Sequence, residues 1–266
     1  MLGRRRISLT QDIDTSAFER PLSLAVPDRV EAAVARGVRR GRDFPFANAA
    51  QLIEPGGDGL TDAVVRNSDG VLVVACRTDM PDVSPQMWDW WFGWHSVSSK
   101  RYRLWHPRDH LSAALAEDRT RWPDVKARYI GNVSFVEEFI GEGEIHKLSI
   151  AFKAPSEFGL DERKVAEQGT AICARGGLPH VFADVSHLIH FVRRTPGGSE
   201  MLSRFWLGDV RSKIPVVGGL IDRRLNDPAA RIENSPDAFG LKLLRHCSEE
   251  MSHLAKILPG LYSALR

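Results

Sequence analysis

The sequence predicts an α+β protein in which a curved antiparallel sheet wraps one long C-terminal helix. Strand-like runs follow one another from residue 128 to residue 209, separated by only a few turn residues. Connections that short allow hairpins and exclude βαβ crossovers. One long helical signal, DAFGLKLLRHCSEEMSHLAKILPGLYSAL, then closes the chain. A sheet and a single amphipathic helix bury each other's apolar faces, with room for an apolar pocket between them.

In chain order, residues 1–68 read as a helical and irregular leader. PDRVEAAVARGVRRGRDF places Val30, Ala33, Val34 and Val38 at helical spacing with arginines opposite. IEPGGDGLTD reads as loop from its Pro and Gly content. GVLVVACRTDMP is a buried strand with turn residues at both ends. SPQMWDWWFGWHS opens with Ser84 before Pro85, an N-cap followed by proline at the first helical position. Its helix carries Trp88, Trp91 and Phe92 on one side. In SSKRYRLWHPRDHLSAAL, Pro107 makes a turn or a new helix start. RYIGNVSFVEEFI and GEIHKLSIAFKAP alternate over part of their length, and TAICARGG, LPHVFADVSH, HLIHFVRRT and SEMLSRFWLGD are further strands. GGLIDRRLNDPAARIENSP reads as a loop leading into the final helix. The expected organisation is therefore an N-terminal segment, 1–68, and a sheet-and-helix domain, 69–266.

Composition excludes several classes. With 36 Lys+Arg against 34 Asp+Glu the formal net charge is +2, too small for a protein built around a nucleic-acid footprint. No apolar run approaches the roughly 18 residues of a membrane span. The opening MLGRRRISLTQDID is basic but has no apolar stretch behind it, so it does not read as a secretory signal. Cys76, Cys173 and Cys247 are widely spaced, with no CxxC pair. That pattern suits free thiols in a reducing compartment and points to a cytoplasmic protein. No GxSxG, HExxH, P-loop or GxGxxG after a strand is present.

The chemistry is concentrated in the last helix. At about 100° per residue, Phe239, Leu243, Leu254, Ile257 and Leu261 fall within about 80° of His246. Glu250 lies among them, His253 at their edge, and Arg245, Ser248, Ser252 and Lys256 on the opposite arc. A carboxylate inside an apolar stripe must be neutral, paired or metal-bound. His246 and Glu250, one turn apart, make either a buried ion pair or half of a metal site. Partners are available elsewhere: His106 and His110 in WHPRDH, Glu137 and Glu138 in FVEEFIG, and His190 in HLIHFVRR. Strand alternation puts Glu138 on the face of Val136 and Ile140, and His190 on the face of Leu188 and Val192, with His187 opposite. Several inward-pointing ionisable groups from separate elements indicate a metal or catalytic pocket.

WDWWFGWH, YRLWHPRDH, FVEEFIG, FKAPSEFGL, HFVRR with SRFWLGD, and HCSEE occur in an order and spacing that resemble the 2,4-diacetylphloroglucinol hydrolase family, which includes phloretin hydrolase. The resemblance runs from about residue 70 to the C-terminus. It implies a Bet v 1-like helix-grip catalytic domain, a helical N-terminal part used in homodimerisation, and a zinc ion in the pocket. The implied reaction cleaves the carbon–carbon bond between an acyl group and a polyhydroxylated aromatic ring, giving a carboxylic acid and the deacylated phenol. The implied zinc ligands are His110, Glu138, His246 and Glu250, and a one-residue slip would exchange Glu138 for Glu137. Tyr102 matches the tyrosine that touches the phenolic substrate, and His190 the pocket histidine, expected to deliver a proton or stabilise an oxyanion. Trp91 and Trp105 are expected to wall the ring. Near SRFW, where the family's diacetylphloroglucinol enzyme has a second tyrosine, this chain has Phe205 and Trp206, which are expected to contact the substrate in its place. Two alternatives remain: a helix-grip carrier that binds a hydrophobic ligand without chemistry, and a β-diketone hydrolase of the same fold.

Overall fold

A computed structural model describes residues 13–22, 26–215 and 218–266; the basic cluster at the start of the chain lies outside them. In chain order the elements are α1 (Asp28–Arg36), β1 (Val38–Arg39), β2 (Ala63–Arg66), β3 (Leu72–Pro81), α2 (Pro85–Trp94), α3 (Ser99–Arg103) and β4 (His110–Leu115). There follow α4 (Val125–Tyr129), β5 (Val133–Phe139), β6 (Ile145–Lys153), α5 (Glu162–Gln168), β7 (Gly169–Leu178), β8 (Ala183–Thr195) and β9 (Gly198–Ser212). Three helices close the chain: α6 (Gly218–Leu225), α7 (Pro228–Asn234) and α8 (Asp237–Leu265).

The strands form one sheet in the order β1-β2-β3-β9-β8-β7-β6-β5-β4. Every neighbouring pair is antiparallel except β1–β2, and β2–β3, β5–β6, β7–β8 and β8–β9 are joined by the short connections the sequence shows. The α+β helix-grip arrangement expected from the sequence is thus present, with α8 packed across β3. The division expected at residues 68/69 falls inside the β2–β3 hairpin, so strands on both sides of it build the sheet.

Both sheet faces are covered, which is why few strands alternate cleanly. One core joins Leu244, Cys247, Met251, Leu254 and Leu258 of α8 to Val74, Cys76 and Val192 of the sheet and to Trp88 and Trp91 of α2. On the other face Leu52, Ile53 and Phe158 pack on Ile189, Phe191 and Trp206. Ser84 caps α2 as its sequence suggests, its Oγ accepting from the Met87 amide at 3.4 Å. At Gly240 an added Cβ would lie 2.7 Å from Leu72 Cδ2 and 2.8 Å from Val64 Cγ1. Both side chains are fully buried, so only glycine lets α8 settle this closely. Arg66 ties the start of α8 to β2, donating to Asp237 Oδ1 at 2.6 Å.

Two expectations need correction. The stretch read as a loop before the last helix forms α6 and α7. Its Asp and Pro act as helix-starting residues, Asp227 Oδ1 capping the Ala229 amide at 3.0 Å ahead of Pro228. Ser248, placed on the outer arc of α8, is buried, so that arc is not wholly exposed, and α1 also packs on that helix. Among the described residues no helix is long and apolar enough to cross a membrane.

Candidate metal centre

The centre is assembled where β4 and β5 face α8. Register along most of the β4–β5 ladder pairs Ala113 with Val136 and Ser112 with Glu137, but a bulge between His110 and Ser112 brings His110 opposite Glu138. One extra residue in β4 therefore re-aims the histidine at the carboxylate. Glu138 shares its face with buried Val136 and Ile140, and its side chain is 13% exposed. Glu137 points the other way, 41% exposed, to Lys147 Nζ at 3.1 Å and the Ser112 hydroxyl at 2.9 Å.

From α8, His246 and Glu250 enter the same space. His110 Nε2 lies 3.4 Å from Glu250 Oε2 and 3.6 Å from Glu138 Oε2, and His246 Nε2 lies 3.9 Å from Glu250 Oε2. The second nitrogen of His110, Nδ1, is 3.2 Å from the Tyr102 carbonyl oxygen, and only its N–H can bond to that acceptor. Nε2 is then left as a lone pair facing carboxylate oxygens, buried and without a hydrogen-bond partner. Acceptors converging on acceptors repel unless a proton or a metal cation lies among them. The Tyr102 ring stacks on His110 at 3.9 Å, and its hydroxyl donates to Glu138.

Protonation follows the same logic. Burial, then the charges of His246 and His106, holds His110 well below the ordinary histidine range, so it stays neutral. Burial alone would lower His246, but its hydrogen bond to Asp109 and the charges of Glu250 and Glu138 outweigh that and raise it to about 9. Burial pushes Glu250 up to about 8 against the pull of His246. Protons in the cluster thus occupy the electrostatic role of a cation. Ligand atoms of His110, His246 and Glu250 lie within 4.8 Å of one another. Imidazole nitrogens and carboxylate oxygens in a buried cluster suit a divalent ion such as zinc.

Of the other expected residues, Trp105 meets His110 edge-on at 5.4 Å and Trp91 at 6.1 Å. Both indole nitrogens are buried without partners. His190 lies on the α8 side of the sheet, its Nδ1 2.8 Å from the Ser203 hydroxyl, with Phe205 at 5.7 Å and Phe92 at 6.4 Å. Burial lowers it to about 3. Trp206 is a correction: it belongs to the opposite core, where its Nε1 donates to the Phe44 carbonyl at 2.9 Å. Adjacent strand residues point to opposite faces, so Phe205 and Trp206 cannot both line one pocket. His187 is on that far face too, stacked on Phe46 at 3.6 Å.

Sequence reasoning missed a second layer. Asp109 Oδ2 lies 3.3 Å from His246 Nδ1, and Arg108 spans Asp109 and Glu249. The signal was adjacency alone: Asp109 precedes His110, and Glu249 precedes Glu250.

A helix-grip sheet enclosing buried histidine and carboxylate donors defines a protein equipped to hold a metal ion between its sheet and its last helix. The chain belongs to the family described as the DAPG hydrolase PhiG domain, whose model matches residues 44–263. It is 29% identical over 197 residues to a 2,4-diacetylphloroglucinol hydrolase from a Pseudomonas species, covering 71% of this chain and 66% of that protein. To phloretin hydrolase from Eubacterium ramulus it is 30% identical over 208 residues, covering 74% and 69%. The chain spans just under two thirds of the first of these relatives. Among solved structures, protein Ms6760 from Mycobacterium smegmatis aligns at TM-score 0.38 and 13% identity, over 76% of this chain and 98% of that one. Ara h 8.0201 aligns at TM-score 0.33 and 11% identity, over 67% and 98%.

Proposed function

We propose that the protein is a zinc-dependent hydrolase that cleaves the carbon–carbon bond between an acyl group and a polyhydroxylated aromatic ring. The family membership and the names of the two relatives support the substrate class. The observation that carries the metal is His110 Nε2, a buried nitrogen without a hydrogen-bond partner, 3.4 Å and 3.6 Å from the oxygens of Glu250 and Glu138. His110, Glu138, His246 and Glu250 would hold the ion.

Zinc bound there supplies Lewis-acid polarisation of a carbonyl and a means of acidifying water at neutral pH. In the net reaction the hydroxyl of water joins the acyl carbon, the acyl–ring bond breaks, and a proton ends on the ring carbon. A meta-dihydroxylated ring makes that carbon a competent leaving group, because protonation there gives a keto tautomer. Burial holds His190 neutral near pH 7. In the tautomer that accepts from Ser203 at Nδ1, its Nε2–H would be a hydrogen-bond donor suited to an oxyanion or a ring oxygen. Tyr102 stays protonated, since burial and then Glu138 raise its pKa well above the ordinary value; it orients Glu138 and offers a phenol to a ring hydroxyl. Trp105 and Phe205 supply apolar wall. Action in the cytoplasm and pairing as a homodimer through the N-terminal segment complete the proposal.

The test is metal analysis of the purified protein with an assay on 2,4-diacetylphloroglucinol, phloretin and an aliphatic β-diketone, scored by product identity. Acid and deacylated phenol from an acylphenol support the reading. Turnover of the β-diketone alone, or no turnover with no bound metal, contradicts it.

A further inference from the structure

We propose that Asp109 is a positioning residue for the metal centre, its carboxylate fixing the His246 ring through Nδ1 so that Nε2 is presented to the cation. The inference rests on the metal reading above. Nδ1 of His246 lies 3.3 Å from Asp109 Oδ2. Both oxygens of Asp109 are gripped by Arg108, at 2.8 Å from Nε to Oδ1 and 3.1 Å from Nη2 to Oδ2. The same guanidinium donates to Glu249 Oε2 at 2.8 Å, so one arginine joins the segment before β4 to α8. His106 completes the layer. Its Nδ1 accepts the Asp109 amide at 3.0 Å, which leaves the hydrogen on Nε2 to bond Glu249 Oε2 at 3.3 Å, and its ring stacks on His246 at 4.8 Å.

Two features give this layer a role in the centre. Asp109 and the ligand His110 are chain neighbours, whereas His246 comes from α8, 137 residues away. A bond between Asp109 and His246 therefore locks ligands from two separate elements into one geometry. Carboxylates placed on the far nitrogen of a ligating histidine set its tautomer and typically change metal affinity 10–100-fold. Ligand atoms of His106, Asp109 and His246 are themselves close enough to hold an ion. That position is already served, because His106 Nδ1 is taken by an amide and Arg108 supplies the positive charge. One metal per chain follows, not two.

The test titrates metal-free full-length protein, Asp109→Asn and Arg108→Gln with Zn2+ against a chromophoric chelator, and records the visible spectrum of the Co2+-loaded forms. The parent is expected to bind one equivalent. Asp109→Asn should bind one equivalent roughly 10–100-fold more weakly, with a shifted Co2+ band. Arg108 has a half-exposed side chain, so Arg108→Gln decides the matter if Asp109→Asn does not fold. It should weaken binding several-fold with the same spectral shift. Parent-like affinity and spectrum in both variants, or saturation of the parent at two equivalents, would overturn the proposal while leaving the metal reading intact. A parent that binds no stoichiometric metal overturns both.

Discussion

His110 and Glu138 stand directly opposite each other in the β4–β5 ladder only because of the bulge between His110 and Ser112. Without it, the register of Ala113 with Val136 would oppose Leu111 to Glu138. The adjacent acids of β5 should therefore behave differently. Glu137→Gln is expected to leave metal content and melting temperature at the parent's values. Glu138→Gln should lose stoichiometric zinc, measured by elemental analysis after gel filtration.

Glu250 should separate function from stability. Its removal takes away a proposed ligand of the centre, and Glu250→Gln is expected to lower kcat/KM by about 100-fold or more, a loss of roughly 2.7 kcal/mol in transition-state stabilisation. In the metal-free protein burial raises Glu250 to about 8, so near neutral pH it is largely an uncharged acid that the isosteric amide of Gln replaces. Thermal unfolding in chelator should show a melting temperature at or above that of the parent. A large drop there would mark Glu250 as a structural ion-pair partner of His246.

Acid should destabilise the fold through its buried neutral histidines. His95, whose Nδ1 is 2.8 Å from the Trp91 carbonyl oxygen, is lowered to about 4, and His190 to about 3, both by burial. Unfolded histidine titrates near 6.5. Between pH 6.5 and about 4 the unfolded chain thus binds protons that these folded groups refuse, so stability rises with pH across that window. Above pH 6.5 both states are neutral and the effect vanishes. Urea midpoints of metal-free protein should fall from pH 7 to pH 4, and His190→Gln should flatten that slope.

Much of this was legible in the sequence, and the reasons for the rest are physical. Periodicity identified α8 and the face carrying His246 and Glu250, because a charge within an apolar stripe is costly and so informative. Alternation placed Glu138, His190 and His187 on the correct faces. It could not reveal the bulge at His110, which depends on how two strands pair. It allowed only one of Phe205 and Trp206 to face the pocket but could not say which, since apolar residues cover both faces of the sheet. α6 and α7 read as loop because helix-capping Asp and Pro resemble turn residues. Asp109 and Glu249 look like surface acids until Arg108 is seen to bridge them.

Phe205 and Trp206 offer a test of the pocket's limits. Phe205→Tyr puts a hydroxyl on the pocket side of β9 near His190 and should change KM ratios across a panel of acylphenols. Trp206→Phe removes the bond to the Phe44 carbonyl on the far face. It should cost about 1 kcal/mol of stability and leave those ratios unchanged.

Chelator-stripped protein titrated with Zn2+, with acid release from 2,4-diacetylphloroglucinol followed at each addition, tests most directly that one ion held by His110, Glu138, His246 and Glu250 is required. Activity should rise from near zero and level off at one equivalent per chain. A stripped protein that keeps the full rate, or one that gains nothing from zinc, would contradict it.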